Sequence, residues 1–331
     1  MEIIFKLLLF DLISCKLFRL NVEKTAKQNV SSNGTVLRRE DICKLDSNES
    51  QCRKLYSKDN RSTSYGEKKR NVIFVKTFQT HSSSFQNIIF RYTVNHGLNL
   101  AMPRNNGGRF FTPEPFRPDM VRPFFNEDQK PNVVASHFVA SEELFDYIPD
   151  AFTFIILKSL PSLYVSTFDY LKNSTTAFAT AKNIDNFYST PEVFFNPGTP
   201  FNVYTRNHMA YNLGFDSNST DSEYFQKAIE RIENRFDVVL ISDYFFESLI
   251  LLQDNLRLTH DEVVTLIKDD TCDETAKISK SITNNIKKWN SFDQQLFNHF
   301  NATFWYKLEK IPDLKKRKEI LMQRTEALDR Y

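Results

Sequence analysis

The chain has 331 residues and a formal net charge of +2, with 31 Phe and 13 Tyr against only 7 Gly. That length suits one large α/β domain with its own core, and so balanced a charge excludes a nucleic-acid binder that works by neutralising phosphates. Scarce glycine and abundant aromatics exclude collagen-like and low-complexity chains, and they suit a large core with a sugar-binding cleft.

From the N-terminus, Ile3 to Phe18 reads IIFKLLLFDLISCKLF, an apolar stretch interrupted by Lys6, Asp11 and Lys16. It falls short of the roughly 20 apolar residues of a spanning helix. Residues 1–18 therefore read as a signal or weak anchor, with a truncated first exon as the open alternative. Residues 19–69 are polar and charged without a sustained period, as in a stem or linker. Asn-x-Ser/Thr sequons start at Asn29, Asn33, Asn48, Asn60, Asn173, Asn218 and Asn301, which favours a lumenal or secreted chain. Cys43 and Cys52 are spaced to close a small loop in an oxidising compartment, with unpaired thiols as the alternative. No zinc spacing is present, and no metal is expected.

Residues 70–331 carry the periodic segments. Val72 to Val75 form a continuous apolar run, as in a strand buried on both faces. Lys76, Thr77, Thr80, Ser82, Ser83 and Ser84 follow, and then Phe85, Ile88, Ile89 and Tyr92 recur at helical spacing. A strand feeding a hydroxyl-rich turn at a helix N-terminus suits phosphate or sulfate, because free N–H groups and the positive dipole end face the anion. The glycines and the Gly-Lys-Ser/Thr ending of a P-loop are absent, which disfavours a kinase or ATPase.

Residues 103–132 are rich in proline and paired aromatics (Phe110–Phe111, Phe124–Phe125) and read as an extended loop rimming a cleft. Phe152–Leu157 predicts a second buried strand, followed by a helix through Tyr170. Residues 183–203 read as another loop. Glu223–Phe236 predicts a helix, Val238–Ile241 a third strand, and Phe245–Leu256 and His260–Ile267 further helices. The Lys/Arg/Glu-rich tail after Ile311 reads as a solvated helix. Strands alternating with helices imply an α/β fold in three layers around a mostly parallel sheet, with the site at the carboxyl ends of the strands.

The turn VKTFQTHSS (75–83), with IFR at 89–91, resembles the 5′-phosphosulfate-binding loop of Golgi carbohydrate sulfotransferases. It is similar to LKTHKTASS before LFR in the galactose 3-O-sulfotransferase (galactosylceramide sulfotransferase) family. Six further segments resemble that family in order: NLAMPR (99–104), NVVASHFVASEELFDYIPD (132–150), FTFIILKSLPSLYVSTFDYL (152–171), YTRNHMAYNLGFD (204–216), FDVVLISDYFFESLILLQDNL (236–256) and FDQQLFNHFNATFW (292–305).

The resemblance implies a P-loop-like sulfotransferase fold and transfer of sulfate from 3′-phosphoadenylyl sulfate, without a metal. The acceptor would be a galactose 3-hydroxyl of a glycolipid or glycoprotein. It also implies a type II place in the Golgi membrane with a lumenal catalytic part, or secretion if the N-terminus is cleaved. Sulfuryl transfer needs cations and N–H donors around the moving oxygens and a base for the hydroxyl. Lys76 would then stabilise the 5′-phosphosulfate beside Thr77, Gln79, Thr80, Ser82 and Ser83, while Lys158 and Ser166 hold the 3′-phosphate. His137, or alternatively His81, would be the base, and Arg206 and Asn207 would bind cofactor or acceptor.

Three positions depart from the family pattern. Phe78 replaces a loop histidine, Gln79 a second lysine, and Lys158 an arginine whose bidentate fork is lost. These departures keep a second reading open: a catalytically impaired member that binds glycan or a protein partner.

Overall fold

Four short strands, buried along their whole length, form the centre of the computed structural model, which describes residues 68–104, 114–126, 128–199, 201–266 and 278–329. Strands β1 (Val72–Val75), β2 (Val133–Ser136), β3 (Phe152–Leu157) and β4 (Val238–Ile241) are all parallel, in the order β2-β1-β3-β4. Burial on both faces explains why they read as near-continuous apolar runs rather than alternating ones. The Phe74 and Phe154 rings stack across β1 and β3 with centroids 4.4 Å apart. From β1 the chain crosses to β2 on one side, then back past β1 to β3 on the other. The strand order therefore reverses between β1 and β3, and the carboxyl ends at such a reversal are where doubly wound sheets bind their ligands.

The helices are α1 (Ser82–Asn95), α2 (Glu142–Tyr147), α3 (Leu160–Leu171), α4 (Thr176–Ala179), α5 (Ile184–Ser189), α6 (Pro191–Phe194) and α7 (His208–Asn212). They continue as α8 (Ser222–Arg235), α9 (Phe245–Leu256), α10 (His260–Val263), α11 (Lys280–Trp289), α12 (Ser291–Leu308) and α13 (Leu314–Asp329). Several starts are fixed by side chains that accept a first-turn N–H, namely Ser141, Asn183, Asp221 and Ser279. Among the described residues no helix is long and apolar enough to cross a membrane.

The elements differ from the sequence expectation in several places, one of them the helix expected over His260–Ile267, which ends at Val263 with Val264 already extended. Strand β2 was not foreseen, because Val133-Val134-Ala135-Ser136 carries too little apolar signal beside the proline-rich stretch before it. Residues 183–203 are not a plain loop: α5 and α6 form there, capped by Asn183 and started by Pro191, with Phe187 and Tyr188 buried. One-turn helices are too short to show a period. Nor is the charged tail simply solvated. Leu321 and Thr325 of α13 are buried, and Lys318 reaches Glu247 of α9 at 2.6 Å while Arg317 reaches Asp254 at 2.5 Å.

Two features lock the frame. Gly214 has φ +85°, and a Cβ there would lie 2.3 Å from the Ala140 carbonyl oxygen, so only glycine fits this turn. The Glu262 carboxylate accepts Lys68 Nζ at 2.8 Å, His96 Nε2 at 2.6 Å and the Thr259 N–H at 2.7 Å. It thereby ties the chain entering β1 to the end of α1 and to the capping box of α10. The N-terminal segment, the stem, all four cysteines, Phe110, Phe111, and the sequons at Asn29, Asn33, Asn48 and Asn60 lie outside the described residues.

Candidate functional site

Lys76 follows β1 and Lys158 follows β3, so two lysines stand at the carboxyl ends of the adjacent strands where the order reverses. Both are buried, 2% and 4% exposed. Lysine is rarely buried this far without an anionic or hydrogen-bonding environment, because desolvating an ammonium is costly. Lys76 Nζ donates to Gln86 Oε1 at 2.8 Å and to Ser83 Oγ at 3.2 Å. Gln86 is itself fixed by donating to the Ala135 carbonyl at 2.8 Å, so it aims the lysine over the start of α1. Sequence reasoning missed Gln86. Its signal was its spacing, one helical turn past Ser82 on the face turned to the strand ends.

The turn between β1 and α1 is wound without glycine. Gln79 and His81 hold left-handed conformations, φ 57° and 54°. Internal hydrogen bonds hold it: Thr77 Oγ1 donates to the Ile156 carbonyl, Thr80 Oγ1 to the Thr77 carbonyl at 3.2 Å, and Ser82 Oγ to the same carbonyl at 2.9 Å. Three hydroxyls expected to donate to an anion therefore shape the turn instead. Ser83 differs, because it receives Lys76 and keeps its own hydrogen to donate. At the start of α1 the His81 side chain makes no capping bond, and the first turn carries no acidic residue. The positive helix end thus stands just past the carboxyl end of β1 without a carboxylate of its own helix to neutralise it.

The two candidate bases lie toward opposite edges of the sheet. His137 follows β2, and its Nδ1 lies 3.0 Å from the Lys76 carbonyl oxygen. A carbonyl only accepts, so Nδ1 carries a hydrogen, and in the neutral ring the lone pair is on Nε2, the tautomer a general base needs. His81 instead turns toward β4, with Nδ1 2.8 Å from Ser242 Oγ. His137 is the histidine held on the backbone of Lys76.

Phe78 packs beside His137 among further aromatic rings. The Phe78 ring lies 6.1 Å from His137, 5.3 Å from Tyr170, 5.2 Å from Tyr204 and 6.2 Å from His208. His208 is fully buried, with Nδ1 donating to the Tyr204 carbonyl at 3.1 Å and Nε2 without a partner. Burial lowers its pKa to about 4, so it is neutral at physiological pH. Beside it, Asp293 accepts Tyr164 Oη–H at 2.7 Å and the N–H groups of Met209 and Ala210 at 3.0 and 2.9 Å. Burial pushes the Asp293 carboxyl up to about 6 against those donors. Neither Tyr164 nor Asp293 was singled out in the sequence, since nothing marks them as neighbours across so long a separation.

The remaining candidates spread more widely. Ser166 Oγ donates to the Ser162 carbonyl at 2.9 Å, on α3 just beyond Lys158. At the start of α3, Asp243 receives the Ser159 N–H at 2.8 Å and the Ser159 hydroxyl. The Asn207 side chain is spent inside the fold, donating to the Ser217 carbonyl at 2.8 Å and accepting the Asp293 N–H at 3.2 Å. Arg206 is half-buried, stacked 4.4 Å over Trp289, and its buried Nε has no hydrogen-bond partner. Burial lowers its pKa against nearby Asp216 and Glu192. Of the sequons, Asn173 is exposed in the turn after α3, Asn218 lies in the turn before α8, and Asn301 lies within α12. Among the described residues no group of three or more His, Cys, Asp or Glu is placed to hold a metal ion.

The profile described as Galactose-3-O-sulfotransferase matches residues 2–330. The chain belongs to the galactose-3-O-sulfotransferase family. It is 32% identical over 270 residues to galactose-3-O-sulfotransferase 2 of Mus musculus, covering 76% of this chain and 68% of that one. To the human protein of the same name it is 32% identical over 243 residues, covering 72% and 61%. To human galactosylceramide sulfotransferase it is 32% identical over 263 residues, covering 76% and 60%. The chain thus spans about two thirds or less of the length of these relatives. In this chain the all-parallel sheet brings Lys76, Lys158 and His137 to one end, each just past the carboxyl end of its strand.

Proposed function

We propose that this protein transfers a sulfuryl group from 3′-phosphoadenylyl sulfate to the 3-hydroxyl of a galactose on a glycolipid or glycoprotein. The observation that carries the reading is the pair of buried lysines, Lys76 and Lys158, at the strand-order reversal beside the uncapped start of α1. That set of donors fits a ligand with two separated anionic groups: Lys76, Ser83 and the α1 N–H groups for the 5′-phosphosulfate, and Lys158 for the 3′-phosphate, which Ser166 joins only by giving up its bond to the Ser162 carbonyl. The co-substrate supplies an activated sulfuryl group on a leaving phosphate. His137 Nε2 takes the proton of the galactose hydroxyl as the new O–S bond forms and the S–O bond to phosphate breaks. Lys76 Nζ donates hydrogen bonds to the moving oxygens, and adenosine 3′,5′-bisphosphate leaves.

In this reading the core is a three-layer, P-loop-like sulfotransferase fold that begins near residue 70. The seven sequons and the apolar N-terminus support a Golgi place with a lumenal catalytic part, attached through that terminus. Calorimetric titration of adenosine 3′,5′-bisphosphate into the full chain tests the reading. Micromolar binding that is lost in Lys158→Ala is expected, followed by transfer of radiolabelled sulfate to terminal galactosides. No binding at millimolar nucleotide by protein shown to be folded overturns it.

A further inference from the structure

Tyr170 is 48% exposed, yet its ring stands 5.3 Å from Phe78 at an interplanar angle of 70°. It lies on α3 four residues beyond Ser166, which itself follows Ser162 by four, so the three share one helix face. Phe78 in turn lies 6.1 Å from His137 and 5.2 Å from Tyr204. A solvent-facing aromatic ring therefore stands one ring away from the candidate base, with an apolar floor beneath it.

Galactose has a surface to match. Its axial 4-hydroxyl leaves the C3, C4 and C5 hydrogens contiguous on one face of the ring, an apolar patch that lies flat on an aromatic side chain. In glucose the 4-hydroxyl is equatorial and the patch is broken. We infer that Tyr170, backed by Phe78, is the platform on which the acceptor galactose stacks, turning its 3-hydroxyl toward His137 and selecting galactose over glucose. The inference rests on the sulfotransferase reading and adds to it the residue that recognises the sugar. It also gives Phe78 a purpose: an aromatic side chain at that position loses a titratable group but supports the platform ring edge-on.

The test is saturation-transfer NMR of methyl β-galactoside and methyl β-glucoside on the full chain, with and without adenosine 3′,5′-bisphosphate, alongside calorimetry of the nucleotide. The galactoside should be saturated most strongly at H3, H4 and H5, and the glucoside weakly. Tyr170→Ala should weaken galactoside binding at least tenfold, Tyr170→Phe should retain it, and both should bind nucleotide as the parent does. Galactoside binding unchanged in Tyr170→Ala overturns the platform. So does weakened nucleotide binding with the galactoside unaffected, which would assign the ring to adenine. A parent protein that binds nucleotide but no galactoside also overturns it while leaving the sulfotransferase reading intact. One that binds galactoside through Tyr170 but no nucleotide sinks the transfer reading alone.

Discussion

Replacing Glu262 by glutamine removes the charge at which three parts of the chain meet. Burial pushes the Glu262 carboxyl up, but the hydrogen bonds from Lys68, Thr259 and His96 outweigh it and hold the pKa at about 2, below the ordinary 4.5. A folded-state pKa below the unfolded one contributes stability that is complete above the unfolded value and disappears as pH falls through the folded one. A depression of roughly 2.5 units at about 1.4 kcal/mol each amounts to about 3 kcal/mol at neutral pH. The carboxylate is only 12% exposed, so solvent screening takes little of this. For a folded unit of roughly 260 residues, that loss lowers Tm by about 5 °C. Urea unfolding of parent and Glu262→Gln, followed by circular dichroism, should show the full gap at pH 7 and roughly half of it at pH 3. A gap that is absent at neutral pH, or equally large at pH 3, refutes the reasoning.

Four further outcomes are expected. Gly214→Ala should cost more than the roughly 1–2 kcal/mol of a left-handed alanine, because the Ala140 carbonyl 2.3 Å away is backbone and cannot retreat; unchanged urea stability would show that the turn relaxes. Lys76→Met should abolish nucleotide binding while stability holds or rises, since an apolar chain of similar length replaces a buried cation, and calorimetry showing retained affinity counts against the cradle. His137→Gln should lower kcat by roughly 10²- to 10⁴-fold with acceptor KM little changed, and flatten the acidic limb of the pH–rate profile; an unaltered profile moves the base elsewhere. Phe78→His combined with Gln79→Lys should leave transfer activity within about tenfold of the parent, whereas activity found only in the double variant would mark the parent as non-catalytic.

Much of the site was legible because its key residues sit inside one local pattern. Val72 to Ser83 reads as strand, turn and helix start without knowledge of anything distant, and the structure keeps Lys76 at its centre. Long apolar elements such as β3, α8 and α9 also declared themselves, since burial on two faces or one face leaves an unmistakable period. What stayed hidden depends on distance or brevity. Strand β2 has four residues and little apolar weight, yet it carries His137 to the carboxyl end of the sheet. Tyr164, His208 and Asp293 form one buried network, but its members come from three separate helices, and local spacing cannot predict that convergence. Thr77, Thr80 and Ser82 read as anion donors because hydroxyls cluster there. Only the folded turn shows their hydrogens committed to carbonyls.

The pairing pattern of the sheet bears on how the protein comes into being. Phe74 pairs with Phe154 and Phe154 with Val238, so among the described residues every pairing of the four strands closes a long loop and no hairpin joins two of them. Such topologies fold slowly, because loop-closure entropy must be met before the contacts repay it. Lys76 and Lys158 are brought together by the pairing of β1 with β3, so the anion cradle proposed above depends on that pairing. A ligand of that cradle is therefore a reporter of completed folding, and by mass action a chaperone for it: nucleotide at a hundred times its Kd would favour the native state by about 2.7 kcal/mol.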